Sequence, residues 1–150
     1  MLKRILTVVL LAFVFACVIV LILPRGETVP WPADGIPAAS QPQTDGIAVY
    51  YLHGAKNCPE CATIAHFAQA ALAAMPPSGR PRFTPIDTAR EPRYAAAFAM
   101  TVNTLVLVEE RAGVVVRWRR LDEVWRWIED ETSFGRNLAA TITAFAPGNR

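Results

Sequence analysis

The sequence predicts an α/β domain, a mixed β-sheet flanked by helices, preceded by one N-terminal transmembrane helix. Three observations lead to this. Residues 5–23 form an almost unbroken apolar run; an apolar strand leads directly into Cys58-Pro59-Glu60-Cys61 and a helical period; and two later apolar runs are joined by a short polar turn. Of the 150 residues 53% are hydrophobic, and much of that surplus sits in the first run. The formal charge is +2, from 15 Lys and Arg against 13 Asp and Glu, with no long run of one sign. Nucleic acid held through phosphate contacts is therefore not an expected partner. The aromatic and branched residues are too numerous for a disordered chain, and three cysteines are too few for a disulfide scaffold.

Taken in order, residues 1–23 read as a transmembrane signal anchor. The run at 5–23 has Thr7 as its only polar side chain and would make roughly 28 Å of helix, close to the thickness of a bilayer core. Lys3 and Arg4 precede it, while Arg25 on the far side has Glu27 nearby, so the positive-inside bias keeps the N-terminus in the cytoplasm. A cleaved signal peptide is the rival reading, but the run is long for one and lacks a small-residue cleavage site. Lipidation at Cys17 is a second rival, opposed by the bulky Phe15 and by the apolar residues that follow. On the anchor reading the chain is a single-pass protein of a bacterial inner membrane, with its C-terminal domain in the periplasm.

Residues 24–46 contain five prolines and three glycines without hydrophobic periodicity and read as a Pro-rich linker, with Trp31 suited to the membrane interface. Residues 47–150 are one domain. Residues 47–52 (IAVYYL) form a buried strand, and a helix follows the cysteines with Ile64, Phe67, Ala68, Ala71, Leu72 and Met75 on one face, stopped by Pro76-Pro77. The stretch RFTPIDTA gives a short strand near an edge, because Pro85 lacks a ladder donor, and 91–100 is Ala-rich and helical. Residues 104–109 and 113–118 make a hairpin around Glu110-Arg111-Ala112. A helix is expected from about Leu121, with Val124, Trp125 and Ile128 on its face. Thr132 or Ser133 caps a last one carrying Phe134, Leu138, Ile142 and Phe145.

The order β-α-β-α-β-β-α-α requires one parallel crossover and adds an antiparallel pair, which is the plan of the thioredoxin-like fold. Within that plan the Cys58–Cys61 pair opens the first helix. No second cysteine or histidine pair stands at zinc-finger spacing, so a redox pair is favoured over half a zinc site. Amides at a helix N-terminus stabilise a thiolate, which makes Cys58 the expected nucleophile and Cys61, one turn on, the resolving thiol. Pro59 suits the first turn, where its missing N–H would have no partner. Glu60 opposes the thiolate and Lys56 favours it, so neither extreme acidity nor strongly oxidising character is expected. A permanent disulfide in an oxidising compartment is the static alternative.

VYYLHGAKNCPECATI, together with TLVLVEERAGVVVRWRRLDEVWRWIEDETSF, resembles the ArsF-type thioredoxin-like family, often labelled the nitrophenyl-compound nitroreductase subunit family. The resemblance covers roughly residues 47–146 and is most specific in the aromatic strand ending in His-Gly before the cysteines and in Leu121 and Trp125 of the later segment. It implies a thioredoxin-like fold and a thiol-redox site at Cys58 and Cys61. The chain has no flavin or nicotinamide motif, so nitroreduction by this chain alone is not expected. Thioredoxins carry a cis proline opposite their cysteines, where this chain has Val102-Asn103-Thr104. A cis bond without proline costs about 3 kcal/mol, so a trans bond and a differently shaped rim at Asn103 and Thr104 are expected. The buried acid of the preceding strand is also missing, and His53 is its nearest substitute.

His53 has two readings. Imidazole exchanges protons near neutral pH, and with Cys58 and Cys61 it would complete a three-ligand site for a thiophilic metal or metalloid; alternatively it only bonds the loop backbone before Gly54. His66 falls on the far side of its helix from the thiols. Trp118 and Trp125 are expected in the core, while Trp127, with Arg119, Arg120 and Arg126 near it in sequence, is placed on a solvated or partner-facing surface. The leading expectation is thiol-disulfide exchange with a protein client and a membrane electron donor or acceptor, with no cofactor beyond the disulfide. The alternative is a non-catalytic metal-binding or accessory subunit using the same dithiol with His53.

Overall fold

The computed structural model describes residues 35–40, 45–54 and 58–146. The elements run β1 (Ile36–Pro37), β2 (Gly46–His53), α1 (Pro59–Ala73), β3 (Arg82–Asp87), α2 (Pro92–Ala97), β4 (Thr104–Arg111), β5 (Val114–Leu121), α3 (Val124–Trp127) and α4 (Glu131–Phe145). They make a mixed α/β structure whose five-stranded sheet has the order β1-β5-β4-β2-β3. β2 is parallel to β3 and antiparallel to β4, and β5 is antiparallel to both β4 and β1. The expected parallel crossover through α1 and the expected hairpin are therefore both present.

β2 is apolar throughout because both of its faces are covered. Val49 and Tyr51 point to the side where α1 and α4 supply Ile64, Ala68, Leu72, Phe134, Leu138 and Ile142. Ala48, Tyr50 and Leu52 point to the other side, where they meet Tyr94 and Phe98. β4 alternates in the same way, with Leu105 and Leu107 on the first face and Val106 and Val108 on the second. Two layers of core thus fix β2 and β4 at the centre of the sheet, and the cysteine helix starts from the C-terminal end of β2.

The second face is closed by part of the segment expected to be linker. Ile36 and Pro37 pair with Val115 and Val114, and Ala38 N–H donates to Gly113 O at 2.8 Å. Ala39 N–H donates to the Tyr50 hydroxyl at 2.7 Å, the Tyr94 hydroxyl donates to Pro37 O at 3.1 Å, and Ser40 Oγ meets Thr84 Oγ1 at 3.1 Å. Residues 35–40 therefore belong to the folded unit. The rest of 24–46 up to residue 34, the expected transmembrane helix with Cys17, and Trp31 lie outside the described residues. Among the described residues no helix is long and apolar enough to cross a membrane.

Several local expectations are corrected. Leu121 ends β5, paired with Leu105, so the following helix is only the single turn Val124–Trp127. The cap of α4 is Asp130, whose carboxylate accepts Ser133 N–H at 2.6 Å, which leaves Thr132 and Ser133 inside the first turn. Trp118 lies on β5 and is 41% exposed, touching Phe98 edge-on instead of entering the core. Trp127 is half-buried against Phe134, so it is not a solvated ring. Glu110 is a buried strand residue and not part of the turn, which consists of Ala112 and Gly113, both with positive φ.

Candidate redox site

Cys58 and Cys61 are joined as a disulfide, with their Cα atoms 5.1 Å apart. Cys58 is the N-cap of α1, extended at φ −119° and ψ 144°, and Pro59 follows as the first helical residue. The cap is the sulfur itself: Cys61 N–H donates to Cys58 Sγ at 3.1 Å. Once the pair is reduced, that amide and the positive end of the helix favour the thiolate on Cys58. Cys58 is half-exposed, whereas Cys61 is buried at 7% exposure. An incoming sulfur therefore meets Cys58 first.

Two side chains reach Cys61, and a third braces one of them. Tyr51, on the α1 side of β2, donates its hydroxyl to Cys61 O at 2.7 Å. Asn103, just before β4, donates Nδ2 to Cys61 Sγ at 2.8 Å and accepts Gly54 N–H on Oδ1 at 3.0 Å. Trp125 of α3 donates Nε1 to Asn103 O at 2.9 Å. Burial pushes the Tyr51 phenol above its ordinary range, with the Asn103 side chain opposing that shift, so the ring acts as a proton-bearing donor at neutral pH. Together Tyr51, His53, Gly54, Cys58, Cys61 and Asn103 border a cleft of about 220 Å³.

Of the residues singled out in the sequence, His53, Cys58, Cys61 and Asn103 share this cleft. His53 stacks on Tyr51 with ring centres 5.4 Å apart and turns Nδ1 toward Gly54 O at 3.4 Å, so it combines a place beside the disulfide with a loop contact. Pro59 and Glu60 are exposed in the first turn of α1. Thr104 does not open on the cleft; it is buried at the start of β4 and its hydroxyl donates to Leu121 O at 3.2 Å. Lys56 lies outside the described residues. His66 is exposed on α1 beside Phe67 and does not border the cleft. Among the described residues no group of three or more His, Cys, Asp or Glu is gathered as a metal cluster.

Two residues that the sequence did not single out for the site belong to it. Tyr51 was legible only as a strand residue, although the period of two places it on the side of the cysteine helix. Trp125 was expected in the core; it is half-buried there, and its indole N–H reaches back to Asn103. No family model matches the chain, and no curated protein matches it either.

Proposed function

We propose that this chain is a thioredoxin-like thiol-disulfide oxidoreductase, akin to the ArsF-type family, held by its N-terminal helix in a bacterial inner membrane with the domain in the periplasm. The observation that carries the reading is the Cys58–Cys61 disulfide at the start of α1, with half-buried Cys58 bordering the cleft and its sulfur bonded by the Cys61 amide. The parallel β2–β3 crossover and the antiparallel β4–β5 pair around it support the thioredoxin-like plan.

In the reductive direction the Cys58 thiolate attacks a client disulfide, forming a mixed disulfide and releasing one client thiolate. Cys61 then attacks Cys58 Sγ, releasing the second client thiolate and restoring the Cys58–Cys61 bond. Two electrons have passed to the client, and a membrane dithiol donor returns them by the same exchange. In the oxidative direction each step reverses.

Cys61→Ser removes the resolving thiol and is expected to accumulate a covalent client adduct through Cys58, seen as a thiol-sensitive band shift on non-reducing gels. Cys58→Ser accumulates none. If Cys61→Ser traps no partner in the compartment where the protein resides, the pair is a static cross-link or a ligand set and exchange is wrong.

A further inference from the structure

The exchange scheme leaves Asn103 without a part, although it touches a reacting sulfur. The orientation of its amide follows from its partners: Gly54 N–H can only donate, so oxygen faces Gly54 and the nitrogen, with two donors, faces Cys61 Sγ. Both ends of the N–H···S contact are held from outside it. Trp125 Nε1 pins the Asn103 carbonyl, and the Tyr51 hydroxyl pins the Cys61 carbonyl.

We propose that Asn103 is the hydrogen-bond donor that stabilises the negative charge developing on Cys61 Sγ as it leaves. The inference rests on the exchange reading. When a thiolate attacks Cys58 Sγ, a new S–S bond forms, the Cys58–Cys61 bond breaks and its electron pair goes to Cys61 Sγ. That sulfur is buried, so water does little to solvate the new charge, whereas the Asn103 amide already stands 2.8 Å away. A donor in place before charge develops needs no reorganisation as the bond breaks, which is the advantage of an oxyanion hole. A better-stabilised leaving thiolate departs faster and also favours the mixed disulfide, in which Cys61 is the free thiolate, over the closed pair. The two sulfurs are therefore served separately, Cys58 by the helix amide and Cys61 by the side chain of Asn103.

The test uses the full-length chain as wild type, Asn103→Ala and the isosteric Asn103→Asp. Disulfide opening is timed with excess dithiothreitol, which supplies two electrons and cyclises, and the equilibrium is read in glutathione redox mixtures. Asn103→Ala is expected to open about tenfold more slowly, as for losing one hydrogen bond to a charged group. In the glutathione mixtures its mixed disulfide with glutathione is populated less than that of wild type, by a similar factor. At neutral pH Asn103→Asp, whose carboxylate repels the thiolate, is slower still, and it recovers relative to Asn103→Ala as acid protonates it into a donor. Thermal melting run alongside shows that the isosteric variant keeps its fold. Rates and equilibria within about twofold of wild type in both variants overturn the proposal. A wild-type disulfide that exchanges with neither reagent defeats the exchange reading itself, and the inference with it, because all three proteins are then equally inert.

Discussion

Glu110 brings a carboxylate into the interior at 1% exposure, where it accepts hydrogen bonds from Arg82 and the Tyr50 hydroxyl. Burial, reinforced by that bond to Glu110, pushes the Tyr50 phenol far above its ordinary range, so Tyr50 remains a donor at any working pH. Removing Glu110 takes the acceptor from both bonds and leaves the buried Tyr50 hydroxyl without it, while half-buried Arg82 keeps some contact with water. Glu110→Ala, which loses two hydrogen bonds to a carboxylate, is therefore expected to lower the unfolding free energy by about 3 kcal/mol. Tyr50→Phe keeps the ion pair but gives up the bonds to Glu110 and from Ala39, and is expected to cost about 2 kcal/mol. Urea midpoints compare the two, and equal losses would mean that the ion pair is not what holds this site. The sequence hides the pair for a physical reason. A glutamate after an apolar strand looks like the beginning of a solvated turn, and its partner stands 28 positions away in another strand. The cysteines were legible because their whole message, two thiols one turn apart at a helix start, is local. Asn103 could be noted by position but not assigned a partner, since its contacts to Gly54 and Cys61 arise only when β4 is laid beside β2.

Helix boundaries behave in the same way at the scale of elements. Asp130, Thr132 and Ser133 are all good capping residues, and local sequence cannot choose among them. In the fold the cap is Asp130, and the helix from Glu131 turns Phe134, Leu138, Ile142 and Phe145 into the core. The bond from Ser133 holds the Asp130 carboxyl below the usual carboxylate range. A depressed folded value makes the cap stabilising above the unfolded pKa of about 3.9 and removes that contribution as pH falls through the folded value. Asp130→Ala should accordingly melt at a lower temperature than wild type at pH 7. The difference should shrink steadily as the pH is taken below about 4. A gap that stays constant down to pH 2 would show that the carboxylate charge is not what caps α4. The expected start at Leu121 failed for a related reason: Leu121 fits an apolar helical stripe, but β-pairing with Leu105 claims it first, and only Val124–Trp127 is left to turn.

For the whole molecule, the strand ends separate two tasks. His53 and Asn103 mark the end of the sheet that carries the cleft, while residues 36–38 join at Gly113–Val115, beside the far end of β4. Eight residues of strand put these ends about 25 Å apart. Residues 35–40 thus attach to the sheet at the end opposite the disulfide. Residues 35–40 must then do more than span distance, because the second core face depends on them. Ala38 and Ser40 are buried, and hydrogen bonds run from this segment to Gly113, Tyr50, Tyr94 and Thr84. At roughly 1 kcal/mol for each bond, their loss would take away a large part of a small domain's stability. A chain beginning at residue 35 is expected to melt close to the full-length protein, and one beginning at residue 45 well below it, by on the order of 15 °C or more. Where both remain folded, at low temperature, dithiothreitol should open their disulfides at the same rate, since the lost segment lies far from Cys58. Equal melting of the two truncations would show that residues 35–40 are only a spacer. Unequal opening rates would instead couple the segment to the cleft.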